Sequence, residues 1–449
     1  MIKKKKNQLQ AARKNKSQFL YKKLQRQYSR KINLDLKRIN LAIKKLGNIH
    51  KSIRNPISII GSDGKYSTLK SLQYFIQENN EKVSTFTSPH LYDVRHRFWL
   101  KDRYISIKEL KKNIKTIEKH KIRLTLFELL TLVYYIAASK LKKVSYALVE
   151  AGLLYAKDST RVWDHPRCQI ITNINQQHLD WVKPKTLKTI CQQKVGYLSR
   201  MTTIYVGQQE PKTLKIIKRI LKKNPSKKIF YGNAWTLKKM KGEMIYNDKS
   251  GKIILKSKKI LSNGIWQNVG LAIKVARDFN IPKKNILKAI PKISFEGRIQ
   301  YITKGKLRKL LYPQEKLLID GCHSNASAKN LASYFDVYVN DAFSASHRNH
   351  SSIVGVTRYL PSVAGNSFVK EIESLEKLLN KPKRPIMAII GGAKISSKLK
   401  LLKNLIETFD TLVIGGAMAN TFLLAKGLNM GKSLVENDLI VEAKKILEK

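Results

Sequence analysis

From about residue 55 to residue 330, short apolar runs alternate with stretches of helical periodicity, and no feature of the chain limits its fold more. ISIIG, VSYALVEAG, CQIITNI, TTIYVG, KIFYG and KLLIDG read as strands, being brief and rich in Ile and Val. Between the first two, residues 69–76 place Leu69, Leu72, Phe75 and Ile76 on one helical face. Strands separated by helices join as a parallel sheet, which puts this region in the α/β class. The alternation resumes after residue 336 with VYVNDAF, IMAIIGGA and TLVIGGA, spaced by the amphipathic runs 367–381 and 395–409. No internal repeat is present. No Gly-, Pro- or Ser-rich linker interrupts DGCHSNASAKNLASYFDVYVNDAF, residues 320–343.

With 449 residues the chain has room for two or three domains, each with its own core. The apolar stretch LTLFELLTLVYYIAAS (124–139) contains Glu128 and is too short for a membrane span. The basic N-terminus MIKKKKNQLQAARKNK is followed by no apolar segment, unlike a secretory signal. Cys168, Cys191 and Cys322 form neither a disulfide framework nor a zinc spacing, so a cytoplasmic setting is expected.

The formal net charge of +57 invites a nucleic-acid reading. Lysine, however, is spread over nearly every segment beside abundant Ile and Asn, as an AT-rich coding sequence would give, and no RNA-recognition or helix-turn-helix signature accompanies it. The expectation is non-specific attraction at low salt and no specific nucleic-acid partner. The densest part, residues 1–47, carries Leu34, Ile39, Ala42, Ile43 and Leu46 at near-helical spacing and is expected to form a basic surface helix.

ISIIGSDGKYST places Gly61, Gly64, Lys65, Ser67 and Thr68 between a strand and a helix. A Gly-rich turn there presents backbone N–H groups and a helix N-terminus to phosphates, and Lys65 adds a point charge. By itself the pattern is equally a tight turn beside a surface lysine. Further on come TFTSPHL, LTLFE, LVEAGL, TNINQQHLD, CQQKVGYL, FEGRIQ and LLIDGCHS. In this order, over about residues 35–332, they resemble the folylpolyglutamate synthase/dihydrofolate synthase family, relatives of the Mur peptide ligases.

The resemblance implies a P-loop parallel-sheet ATPase domain followed by a hybrid Rossmann-like α/β region. It implies ATP and Mg2+ as cofactors. Gly61, Gly64, Lys65, Ser67 and Thr68 match the phosphate loop; Ser88, Glu150 and His178 match the metal ligands; Lys194 matches a carbamoylated lysine beside the metal. Arg298 matches a phosphate contact, Asn268 an adenine contact, and Asp320 and His323 the nucleotide-facing edge of the C-terminal domain. Taken without the family, the plainer reading holds for both: Glu150 caps the helix after its strand, and His178 is a satisfied core histidine. Departures from the family pattern are Asp63 for Asn, Tyr66 for Gly, GLLYAKDST for a Gly-rich segment (with Asp158 and Thr160 in place), and Ser324 for Asn.

From Asp336 onward, DVYVNDAFSASHRNHSSIVGV, LPSVAG, PIMAIIGGAKISSKLKLLKNLIETFDTLVIGGAMANTFL and GKSLVE resemble phosphoglycerate kinase. Arg348 matches a phosphoglycerate-binding residue. Lys394 and Lys398 match lysines on the nucleotide phosphates, and Gly391, Gly392, Gly415 and Gly416 match glycines along that site. A Gly-Gly turn followed by two lysines four apart on one helical face makes an anion site; a turn before a solvated basic helix is the plainer reading. The resemblance covers only the middle of that family, so no complete kinase site is expected.

The expected domains are 1–47 (basic helical segment), 48–299 (ATP-binding), 300–335 (start of the ligase C-terminal domain) and 336–449 (kinase-like). The change of pattern lies near Tyr334–Asp336, inside an element, as a crossover within a domain would give. The expected function is ATP- and Mg2+-dependent ligation of glutamate to a pterin or folate by a monomer without membrane partners. The alternatives are a phosphotransferase acting on 3-phosphoglycerate, a non-catalytic nucleic-acid-binding protein, and a chimera with no selected function.

Overall fold

The computed structural model describes residues 16–28, 34–240, 243–257, 259–260, 262–322, 324–380 and 382–448. Contacts divide them into two compact units. The first comprises the residues up to Asp336 with His350–Tyr359, and the second Val337–Asn349 with Leu360 onward.

In the first unit, β1 (Pro56–Ile60) lies between β5 (Tyr146–Glu150) and β6 (Cys168–Ile171) in an eight-stranded sheet of order β4-β3-β2-β5-β1-β6-β7-β8. β2 (Val83–Phe86), β7 (Thr203–Val206) and β8 (Lys228–Phe230) continue it in parallel, as the alternation requires. β3 (Phe98–Lys101) and β4 (Arg103–Tyr104) add an antiparallel edge that the sequence did not announce. All five residues of β1 are buried, as befits a strand covered on both faces.

Helices cover both faces. α3 (Lys65–Glu78), α8 (Asn263–Asp278) and α9 (Lys283–Ala289) pack with Ile57, Ile59, Leu148 and Ile170. On the opposite face, α4 (Ile107–Glu118) and α5 (Leu126–Ser139) meet Phe86, Ala147 and Val149. α6 (Leu187–Val195) and α7 (Pro211–Leu221) meet Ile60, Ile171 and Val206. The apolar stretch 124–139 is thus α5, a core helix opened by a Thr125–Glu128 capping box. No helix of the described residues is long and apolar enough to cross a membrane.

Helix α1 (residues 16–27) and helix α2 (Lys37–Lys45) form in the N-terminal segment. Ile39, Ala42 and Ile43 are buried and join Leu20 and Leu24 in the α5 core. Their lysines face water; their apolar stripe does not. Leu34 and Leu46 are only partly buried.

A second departure is the antiparallel sheet of β9 (Trp235–Met240), β10 (Glu243–Asp248) and β11 (Gly251–Leu255). Its lysine-rich alternation hides the strand pattern, yet Trp235, Leu237, Tyr246 and Ile253 are buried against α8. Close approach is possible because α8 carries Gly270: a Cβ there would fall 2.9 Å from Trp235 Cζ3. KLLIDG forms β13 (Leu317–Ile319), paired antiparallel with β12 (Gln300–Ile302) rather than joining the parallel sheet. α10 (Asn325–Ala332) follows.

The second unit pairs β14 (Tyr338–Asn340) with β15 (Ser362–Ala364), and β16 (Met387–Gly391) with β17 (Thr411–Gly415), both in parallel. Its helices are α11 (Asn366–Asn380), α12 (Leu399–Thr408), α13 (Met418–Ala425) and α14 (Ile440–Leu447). Ile395, Leu402, Met418, Phe422, Ala443 and Ile446 form its core.

Candidate functional site

β1 ends in a turn that leads directly into α3, at the C-terminal edge of the sheet, where open α/β sheets bind ligands. The turn is pinned at both ends. Ser62 and Asp63 N–H donate to Asn173 O at 2.8 and 3.2 Å, and Thr172 Oγ1 donates to Asp63 O at 2.6 Å. Gly64 precedes α3 at φ +86°, and a Cβ there would fall 2.2 Å from Asn268 Oδ1, so only glycine fits. Lys65 opens the helix and folds back over the turn, Nζ reaching Gly61 O at 3.2 Å and Ser62 O at 3.0 Å.

A cavity of about 970 Å³ opens over this turn. Gly64, Lys65, Ser67, Ser88, Glu150, His178, Asn268, Arg298 and Asp320 all line it, from segments far apart in sequence. Three expected residues stand behind the wall instead. Gly61 is buried and contributes its carbonyl; Thr68 is fully buried. Lys194 is 1% exposed, its Nζ donating to Gly61 O at 2.8 Å and Leu153 O at 2.7 Å. His323 lies outside the described residues.

Electrostatics sort these groups. Glu150 is buried at the end of β5, and Ser88 N–H donates to its Oε2 at 2.9 Å. Burial pushes its carboxyl up, opposed by Lys65, the Ser88 N–H, Arg298 and Arg97. Burial drives the Lys194 amine well below the usual lysine range, with Lys65 adding to the effect and Asp158 opposing it. Asp320 Oδ2 accepts Ile299 N–H at 2.8 Å, and Gly321 N–H reaches Gly297 O at 2.9 Å, which ties the β13 end to the Arg298 turn.

The contribution of the N-terminal segment to the cavity was not legible in the sequence. Tyr21, Gln25 and Leu34 line it along with Thr125, Phe127, Gly152 and Asp158. Arg97, 7% exposed, donates Nε to His90 Nδ1 at 2.9 Å. Burial, helped by Arg97, holds His90 down at about 4, so it stays a neutral acceptor. In a chain with 88 Lys and Arg residues nothing marked Arg97 out; only its burial does.

Tyr66 explains itself in place. It packs against the α8 core and separates the main cavity from a smaller one of about 70 Å³. Lys70 lines that smaller cavity, its ammonium over the Tyr74 and Trp99 rings and donating to Gln73 Oε1 at 2.9 Å. Burial lowers Lys70 to about 8, against a partial opposing pull from Glu296. Between about 8 and the usual lysine value the unfolded chain binds the extra proton, so this group's contribution to stability rises with pH there. Lys70→Met is therefore expected to be more stable than wild type at pH 7, with the advantage shrinking by pH 9.5 in urea melts. An advantage that does not change with pH would sink this account.

In the second unit the kinase-like residues gather at the ends of β16 and β17. Gly391 pairs with Gly415, and Met418 N–H donates to Gly392 O at 2.9 Å. Gly416 has φ +70°, and a Cβ there would fall 2.8 Å from Gly392 O. The expected helical face bearing two lysines does not form. Lys394 and Lys398 precede α12, in a turn whose geometry lets Glu436 accept the N–H groups of Ile395 and Ser396. The carboxylate thus fills the end that was expected to receive an anion. Arg348, exposed, follows a short 3₁₀ turn in the same unit.

The Mur ligase middle domain profile matches residues 59–291, more than half of the chain. The chain belongs to the Mur ligase family. Solved structures similar to this family member include Escherichia coli FolC in complex with DHPP and ADP, at 18% identity and TM-score 0.63 over 87% of this chain and 92% of that one. Folylpolyglutamate synthase from Mycobacterium tuberculosis complexed with ADP matches at 16% identity and TM-score 0.62, over 90% and 96%. The bifunctional folylpolyglutamate synthase/dihydrofolate synthase from Yersinia pestis, complexed with AMPPNP and Mn ion, matches at 17% and 0.64, over 88% and 94%. At these identities the likeness establishes the fold.

The phosphoglycerate kinase profile matches residues 311–449 of this Mur ligase relative. Phosphoglycerate kinase from Agrobacterium fabrum is 57% identical over 122 residues, 27% of this chain and 30% of that enzyme. The enzyme from Ruegeria pomeroyi is 52% identical over 147 residues, 31% of this chain and 37% of that enzyme. The chain therefore spans only about a third of the length of the curated relatives it matches.

Proposed function

We propose that this protein is an ATP- and Mg2+-dependent ligase that joins glutamate to the carboxylate of a pterin or folate through an acyl phosphate. One observation carries the reading: Lys65, Ser88, Glu150, His178, Asn268, Arg298 and Asp320 share the wall of one cavity. The ligands of similar solved structures (ADP, DHPP, AMPPNP and Mn ion) agree with it.

The phosphates of ATP seat on the turn 61–64 and the α3 N-terminus, where Lys65 gives up its carbonyl contacts to reach them. Asn268, against Gly64, borders the nucleoside side, and Arg298 faces the phosphates. The residues fit a magnesium ion: Glu150 keeps one carboxylate oxygen beyond its Ser88 contact, with the Ser88 hydroxyl and His178 on the same wall. No three His, Cys, Asp or Glu gather around one point among the described residues, as suits a hard ion that retains waters. When bound it supplies neutralisation of the charge on the terminal phosphate oxygens.

The substrate carboxylate attacks the γ-phosphorus and ADP leaves. The glutamate amine then attacks the acyl carbon, and inorganic phosphate leaves. Both steps load charge onto oxygens that Lys65 and Arg298 face, so positioning and electrostatics do the catalytic work. The Lys194 amine, beneath Gly61 and held below the usual lysine range by burial, is placed for carbamoylation and so for a carboxylate beside the metal. The reading takes small-molecule substrates and a monomeric cytoplasmic enzyme.

ADP release in the presence of dihydropteroate and glutamate tests the proposal, with folate in a parallel arm. No release in either arm sinks it. The rival phosphotransferase reading predicts release with 3-phosphoglycerate instead; short coverage of the kinase relatives and the Glu436 contact stand against it.

A further inference from the structure

Two of the positions at which the chain departs from its family pattern, Asp63 and Ser324, meet in space. Ser324 Oγ donates to Asp63 Oδ2 at 2.8 Å across a separation of 261 residues. The same oxygen accepts Asn175 Nδ2 at 2.7 Å, and Asp63 Oδ1 accepts Gln177 Nε2 at 2.9 Å. One carboxylate thus joins the phosphate turn, the segment after β6 and the first turn of α10. Ser324 is 4% exposed and serves as the α10 N-cap, accepting Ser327 N–H at 3.0 Å. All three side-chain hydrogen-bond partners of Asp63 are neutral.

We propose that Asp63 and Ser324 form a latch that holds the β13–α10 segment against the phosphate turn and thereby sets nucleotide affinity. The route is short. Ser324 fixes the start of α10, four residues beyond Asp320, and the Asp320 and Gly321 contacts to residues 297–299 hold Arg298 in the cavity wall. Asp63 and Ser324 are positioning residues: they act through Asp320 and Arg298. The affinity part of the proposal rests on reading the cavity as a nucleotide site.

The test keeps the helix cap intact. Ser324→Asp retains a good N-cap but sets a second carboxylate against Asp63, which forces the latch open. Asp63→Asn keeps an acceptor for Ser324, and its amide can donate to Gln177 Oε1, a buried acceptor with no partner among the described residues, once the Gln177 amide turns over. Hydrogen exchange of amides 325–332, measured without ligand, reads the latch directly. Calorimetric titration with MgATP reads its consequence.

Ser324→Asp should speed exchange in α10 and weaken MgATP about tenfold. Asp63→Asn should tighten MgATP, since it removes a negative charge beside the phosphates. The double variant should recover both the protection and the affinity that Ser324→Asp loses. Wild-type exchange in Ser324→Asp, or a double variant no better than Ser324→Asp, overturns the latch. If the wild-type protein binds no MgATP, the nucleotide reading fails, while the exchange measurement still decides whether the latch exists.

Discussion

Lys65→Ala is expected to lower ATP-dependent turnover about 10²- to 10³-fold, the loss typical of removing one group that faces developing charge. The native contacts of Lys65 are hydrogen bonds to Gly61 O and Ser62 O, so the fold loses little with it. Its larger role is electrostatic, in a cavity that also holds the buried carboxylate of Glu150, with Asp63, Arg298 and Asp320 on its wall. The expected pattern is a collapse of ADP release with an unfolding midpoint close to wild type. Lys65→Arg should recover part of the loss, since it restores the charge but not the compact ammonium. Turnover that survives in Lys65→Ala would place the chemistry elsewhere in the molecule.

Trp235→Ala is expected to be the most destabilising single change, by about 3–5 kcal/mol. Trp235 is 1% exposed and stacks on Tyr246 with ring centroids 6.0 Å apart, while Tyr231 meets it edge-on at 5.0 Å. It also fills the space that Gly270 leaves on α8, so truncation opens a cavity between β9 and the helix carrying Asn268. Trp235→Phe should be much milder: it keeps most of the ring, and the Nε1 donor it removes has no partner among the described residues. Urea unfolding of both variants measures this. Equal losses would show that the hydrogen-bonding nitrogen, not the packed area, matters. Activity should fall with the folded fraction in both, because neither change touches the cavity wall.

The pattern of the phosphate turn also shows how far sequence reading reaches. ISIIGSDGKYST locates β1, the turn and α3, because period, glycine positions and strand length are local properties. The parallel strands β1, β5, β6, β7 and β8 follow from the same alternation. The antiparallel pair β3–β4 and the separate sheet β9–β11 do not: β4 is only two residues long, and the lysines of β9 and β11 mask the alternation that burial reveals. The α2 helix is visible as a helix, but whether Ile39 and Ile43 face water depends on α5, which lies far along the chain. In the second unit the helical period ran past the true start of α12, because Glu436 caps the preceding turn from forty residues away.

What the sequence alone determined is the class of the fold, the turn between β1 and α3 and several of the residue types that line the cavity wall. Each rests on spacing within a few residues or on short motifs taken in order. Tertiary structure alone decided that Gly61, Thr68 and Lys194 stand behind the wall, that Arg97 is buried, and that Asp63 meets Ser324. Those facts depend on which distant backbone carbonyls and side chains come within hydrogen-bonding reach. Such distances are set by packing across the sheet, a property that no stretch of the chain carries by itself.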